Sequence, residues 1–291
     1  MLKYYFWILS GLVVLLCSTN SFSQTIPAGF PVLEESLRRQ QLLGVEELKD
    51  FSLGLRPIVS LTQNRFYTQD SVPIVEKKVH LELLPVLSTS VYNSNRPFGW
   101  GNFSMMNSAG AQTLLSPGIY GKLFFLKFQF RPEFVASQNK AYQGFGENFS
   151  DNILFARFRC WNFGDHPERF SEDYNSFAWW GQSYVSLNAG PIAVGASTEN
   201  IWWGPGQFNA LIFSNNARGM EHLFLRTSRP ANIFIGKLEA EIIMGRANDS
   251  GILPSQNQRL NDVFARPFRG DWRYVSGVSI TYQPAKLLRW I

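Results

Sequence analysis

GKLEAEIIMGR, residues 236–246, carries the reading of the fold. Leu238, Ala240, Ile242 and Met244 alternate with Lys237, Glu239 and Glu241. A period of two describes a strand with two unlike faces. Here one face is apolar and the other carries full charges. A soluble sandwich gives this alternation when its apolar faces pack together and its polar faces meet water. A transmembrane barrel gives it when the apolar face meets lipid and the charged face lines a hydrated interior. The neighbouring stretches have to separate the two.

The same period recurs along most of the chain. SLGLRPIVSL (52–61) and VHLELLPVLSTSVY (79–92) read as strands, with Pro57 and Pro85 as blemishes. GIYGKLFF (118–125) and LKFQFRPEFVAS (126–137) read as a tight pair, and NILFARFRC (152–160) as a weaker strand. QSYVSLNAGPIAVGAST (182–198) reads as a hairpin turning at Ala189-Gly190-Pro191. HLFLRTSRPANI (222–233) precedes the opening stretch, and WRYVSGVSITYQ (272–283) follows it. Three features favour a barrel over a sandwich. The strands are long. Aromatics gather near strand ends, at Trp179, Trp180, Trp272, Tyr274 and Tyr282, like interfacial girdles. The polar faces bear charges that a hydrated lumen tolerates better than a two-sheet core does. The expected fold class is all-β, an antiparallel transmembrane β-barrel with a short N-terminal helical segment.

Composition agrees. Aromatics make up 15% of the 291 residues and charged residues only 17%. Lys3, an apolar run from Tyr4 to Cys17, and Ser21-Phe22-Ser23 read as a cleaved signal peptide over residues 1–23. A membrane anchor is the alternative, but the run is short for a span. Leu16 before Cys17 argues against a lipoprotein. The mature chain then has 26 basic and 22 acidic residues, net +4, and Cys160 as its one cysteine, so no internal disulfide is expected. Residues 30–50 (around LEESLRRQQLLGVEEL) read as the one convincing helix, ended by Gly44; it either packs on a core or caps one barrel mouth. Two long aperiodic segments, 93–117 and 138–177, read as loops too aromatic to be disordered.

The residues offer little for catalysis. His80, His166 and His222 lack metal-ligand spacing, no nucleophile elbow or phosphate-cradling glycine loop is present, and no cofactor is expected. Glu239 and Glu241 could mimic a carboxylate pair, but a polar lumen face gives the same spacing. Basic residues are scattered, so nucleic acid is not an expected partner. Carbohydrate fits better. Sugar C–H faces pack on aromatic rings, their hydroxyls need paired donors and acceptors, and acidic sugars offer a carboxylate to arginine. Trp202, Trp203, Asn215, Asn216 and Arg218 supply those types close together. Arg157, Arg159 and Trp161 are secondary loop candidates. Read blandly, the tryptophans are interfacial anchors and the asparagines turn residues.

IWWGPGQFNALIFSNNAR (201–218) resembles the signature of the Wzi family of capsule assembly proteins, in its Trp202-Trp203-Gly204-Pro205-Gly206 turn and its Ser214-Asn215-Asn216-Ala217-Arg218 stretch. LRRQQLLG, LGLRPIVSL, FQFRPEFV and WGQSYVSLNAGPIAVGASTEN are similar too. The resemblance implies an outer-membrane barrel with helices near its periplasmic mouth. It implies a lectin-like protein that holds capsular or extracellular polysaccharide at the cell surface, beside outer-membrane lipid and the capsule-export machinery, without catalysis. The expected division is a signal peptide (1–23), a periplasmic helical segment (24–51) and a barrel (52–291). Family barrels have more strands than the roughly eleven legible here, and TYQPAKLLRWI ends just after a strand, so a C-terminally truncated barrel is expected. A passive porin is the alternative function; a lumen filled by 93–117 or 138–177 would count against it.

Overall fold

The computed structural model describes residues 78–284 except 205, 207, 269 and 271, together with 25, 26, 34, 39, 43, 52, 54–56, 58 and 59. Its main feature is one large antiparallel sheet. The sheet is built from β4 (Val79–Asn93), β5 (Gly110–Leu123), β6 (Leu126–Phe130), β7 (Glu133–Ser137), β8 (Asn175–Trp179), β9 (Tyr184–Ala189), β10 (Ile192–Ser197), β12 (His222–Thr227), β13 (Ala231–Ile233), β14 (Gly236–Ala247) and β15 (Arg273–Pro284). Three pairs, β6 with β7, β8 with β9 and β12 with β13, are interrupted halves of single strands. The sheet is therefore a meander of eight strands, each paired with its neighbours in sequence. Among the described residues no ladder joins β4 to β15.

The register explains why both faces of this sheet are tolerated. One row of cross-strand partners runs Val278, Ile242, Leu225, Val194, Leu187, Leu126, Leu123, Val79, crossing every strand without a polar residue. All but Leu126 are exposed. On the opposite face Gln129, Arg131, Glu133, Arg226, Glu239 and Glu241 are buried. A water-soluble sheet buries its apolar face and exposes its charges. This sheet does the reverse. The sheet thus has a bare apolar face and a covered polar face. Outward aromatics stand at both ends of the bare face. Trp272 and Tyr274 lie at one end, Phe124, Phe234 and Tyr282 at the other, and Trp180 stands at the interruption between β8 and β9.

The two ends of the meander differ in their connections. Phe124-Phe125, Gly190-Pro191 and Phe234-Ile235 are two-residue turns at one end. The connections 94–109, 138–174, 198–221 and 248–272 are all long, and all lie at the other end. This is the asymmetry of outer-membrane barrels.

Local chemistry accounts for the irregular points. Pro85 cannot donate to a ladder, and the β4–β5 register shifts between Leu84 and Leu87. The buried Arg131 side chain donates to the freed Pro85 carbonyl at 2.6 Å. Gly121 leaves the space that the Phe128 ring occupies across the strand pair.

Three expectations are corrected. NILFARFRC is not a strand: α1 (Asp151–Gly164) spans it. Leu154, Phe158 and Trp161 form a buried stripe at helical spacing, and the apparent alternation comes from exposed Ile153 and Phe155. A second helix, α2 (Gln258–Phe264), capped by the Asn257 side chain, also went unread. Leu154, Phe158 and Trp161 pack with Leu260 of α2, so connections 138–174 and 248–272 share a small core. Glu168 staples them, accepting from the Phe145 amide at 2.6 Å, the Gln256 amide at 3.0 Å and Ser255 Oγ at 3.2 Å. Finally, the described residues of 52–61 do not join the meander. β2 (Leu55–Arg56) and β3 (Ile58–Val59) are two residues each; β3 pairs with β1 (Thr25–Ile26). Residues 93–117 are likewise only partly a loop, because β5 begins at Gly110.

Of the expected N-terminal helix, Glu34 and Arg39 are helical, and the Leu43 amide bonds to the Arg39 carbonyl at 3.0 Å. Its remaining residues, Gly44 included, and the signal peptide lie outside the described residues.

Candidate functional site

The connection 198–221 folds back across the covered face and carries most of the residues singled out in the sequence. Trp202 and Trp203 form β11 (Trp202–Trp203), which pairs with β2. Both indoles are buried, at 3% and 5% exposure, so neither ring offers a face to a ligand. Trp202 Nε1 donates to the Gly206 carbonyl at 3.0 Å, and Trp203 Nε1 to Glu241 Oε2 at 2.7 Å. Gly277 of β15 lacks the Cβ that would meet the Trp203 ring at 2.8 Å. Trp203 packs with Leu55, Ala193, Ile201, Phe224 and Ile243 in an apolar cluster on the otherwise polar face.

Charged groups surround that cluster. Arg226 lies between two carboxylates, 3.6 Å from Glu241 and 3.9 Å from Glu199, with its guanidinium 4.3 Å from the Phe224 ring centre. Glu199 sits in the connection beyond β10. Burial pushes its carboxyl up to about 7, although Arg226 pulls the other way. Glu239 accepts from the Gly54 amide at 3.1 Å and Ser52 Oγ at 3.3 Å. Glu239 and Glu241 thus serve to hold β11 and the 52–56 segment, which removes the carboxylate-pair reading. Arg56 adds an ion pair with Glu34 and a bond to the Gly204 carbonyl at 2.6 Å.

The second half of the motif does different work. Asn215 is buried; its Nδ2 donates to the Gly101 carbonyl at 3.2 Å and its carbonyl accepts from the Phe103 amide at 2.8 Å. Asn216 Oδ1 accepts from the Gly101 amide at 2.6 Å. Together they clamp the 94–109 connection, whose Phe103 and Met105 pack on Leu114 and Val135 of the covered face. Ser104 bonds to the buried Glu133 there. Arg218 is exposed, its guanidinium 4.6 Å from the Trp179 ring centre. Trp179 is half-buried and faces this segment, unlike its neighbour Trp180 on the bare face, so it is not a girdle residue.

The secondary candidates sit on α1, not on a loop. Trp161 is buried, Arg157 stacks over it at 4.6 Å, and Arg159 is exposed. The five primary residues therefore meet the same covered face, while the α1 residues form a separate group with α2. Sequence reasoning missed Glu199, Arg226 and Gln182. Gln182 bonds Glu133 at 2.8 Å and Asn200 at 2.8 Å, joining β7 to the 198–221 segment. The one sequence signal is for Arg226, a charge on a strand position that faces the covered side; Glu199 and Gln182 lie between strands, where no period marks them.

One family model matches the part of the chain that holds this segment and most of the sheet. The model for capsule assembly protein Wzi covers residues 109–289. The chain belongs to the Wzi capsule assembly family. That span takes in the meander from β5 onward, the 198–221 connection and the α1–α2 unit, and membership implies a role in capsule assembly. No curated protein and no solved structure matches the chain.

Proposed function

We propose that the protein is an outer-membrane β-barrel protein that holds capsular or extracellular polysaccharide at the cell surface. The observation that carries this is the inverted sheet: a continuous apolar row, exposed except at Leu126, on one face, and a buried, charged face covered by connections on the other. Exposed apolar surface of that extent suits acyl chains as solvent, and a closed barrel is how strands cross a bilayer. On this reading the two-residue turns face the periplasm and the four long connections face outward. The signal peptide (1–23), a periplasmic helical segment (24–51) and the barrel unit from 52, its wall starting at β4, complete the proposed layout.

The glycan would be met at the long-connection end. Arg218 over Trp179 offers an accessible cation on an aromatic shelf, with Asn216 nearby in sequence and also exposed. Trp202 and Trp203 anchor the segment that carries Arg218, and Asn215 ties it to the 94–109 connection. The family's role is assembly, and we assign no reaction to the protein. A passive channel is disfavoured, because 94–109 and 198–221 both fold onto the covered face.

The test is surface polysaccharide retention in cells carrying Arg218→Ala, with outer-membrane fractionation and gels of boiled and unboiled samples. Retention should fall while the heat-dependent mobility shift persists. Normal retention with a normal shift would exclude Arg218 from glycan contact, and ion conductance by the purified protein would favour the channel.

A further inference from the structure

The α1–α2 unit carries a cleft that the 198–221 connection does not use. It is lined by Trp161, Asn162, Asp165, His166, Asp249, Arg266 and Arg273, together with prolines and Phe268. Connections 138–174 and 248–272 meet there, at the end proposed to face the cell surface.

The useful question is which polar groups in the cleft remain open. Asp165 accepts from Ser250 through both oxygens, at 2.6 Å from the amide and 2.7 Å from Oγ. Asp249 pairs with Arg273 at 3.2 Å. Asn162 is committed at both ends of its amide, donating to the Phe264 carbonyl and accepting from the Arg266 amide, each at 3.0 Å. Asn162 thereby fixes the chain just after α2 against α1. Two side chains are left. The Arg266 guanidinium and the His166 imidazole are exposed, and neither has a hydrogen bond or ion pair among the described residues. The cleft's carboxylates are already satisfied, so its spare capacity is mainly that of the five guanidinium donors. The cavity volume is about 30 Å³, against the roughly 10–15 Å³ that one water needs. A carboxylate, with its two oxygens, is of a size to enter it.

We infer that this cleft is a subsite for the carboxylate of an acidic sugar, gripped by Arg266 and assisted by His166. The inference rests on the polysaccharide-holding reading and adds to it the chemical class of the bound unit: a uronate-bearing glycan rather than a neutral one. Guanidinium and carboxylate match as a two-bond fork, which a neutral hydroxymethyl group cannot reproduce.

The probes are polygalacturonate and its carboxyl-reduced, neutral counterpart, bound to the full chain in detergent. Arg266 and His166 are exposed, so Arg266→Ala and His166→Ala should fold and shift on gels as the parent does. Expected is a preference of the parent for the charged polymer that Arg266→Ala lowers by about tenfold or more, with a smaller loss for His166→Ala. Binding of the neutral polymer should not change. Equal binding of both polymers by the parent, an undiminished preference in Arg266→Ala, or no binding of either polymer would overturn the inference. The same variants in cells separate the two levels. Retention of the cell's own polysaccharide that needs the protein but not Arg266 sinks the subsite alone. Retention that does not need the protein sinks the general reading as well.

Discussion

The two halves of the WWGPG–SNNAR segment look equally suited to a sugar in sequence, and the fold treats them oppositely. Trp202 and Trp203 are walled in by β2, Glu241 and Gly277. Asn216 and Arg218 remain at the surface, tying down one connection and stacking on Trp179. The first half anchors the connection and the second presents it. An aromatic residue is a good sugar platform only when a ring face is open, and burial decides that.

The comparison breaks most visibly at the anchor. Arg226→Ala would leave Glu199 and Glu241 buried without their shared cation, at a cost of about 3–5 kcal/mol. Trp203→Ala would open a cavity among Leu55, Phe224 and Ile243 and orphan Glu241 Oε2, also costing about 3–5 kcal/mol. Either change should sharply lower the temperature at which the heat-dependent gel shift occurs. A normal transition in both variants would mean that the connection is not held as described.

Glu199 gives the anchor a sign-defined pH response. Its folded pKa is raised, so the folded state holds a proton that the unfolded chain releases earlier. That contribution to stability is fully present below about 4.5 and is lost as the pH rises through about 7. Glu199→Gln should therefore flatten the stability profile between those values. A profile as steep as the parent's would assign the dependence elsewhere.

Smaller effects belong to the presenting half. Asn215→Ala removes one side-chain bond to Gly101, about 1 kcal/mol, and should speed proteolysis within 94–109 more than it shifts global unfolding. Arg218→Ala should change stability by less than about 0.5 kcal/mol and still reduce polysaccharide retention. A stability loss from Arg218→Ala matching that from Trp203→Ala would erase the distinction between the halves.

Much of the meander was legible. The strands around 79–92, 126–137, 182–198, 222–233, 236–246 and 272–283 all stand near their expected places, because a period of two survives wherever the two faces meet different surroundings. The same rule misled at 152–160. Ile153 and Phe155 supplied a false alternation, and only the partner surface from Leu260 shows that Leu154, Phe158 and Trp161 form the buried set. The candidate site was legible as residue types and not as roles.

Sequence by itself determined the strand periods, the apolar and charged faces, the short turns and the family signature, because each is written in residues close along the chain. Tertiary structure alone decided that the tryptophans are buried, that Arg226 is shared by Glu199 and Glu241, that Asn215 and Asn216 clamp a segment more than a hundred positions earlier, and that Arg218 and Arg266 stay open. The physical reason is separation. Whether a polar group is free or satisfied depends on partners brought together by strand pairing, and local pattern carries no record of them.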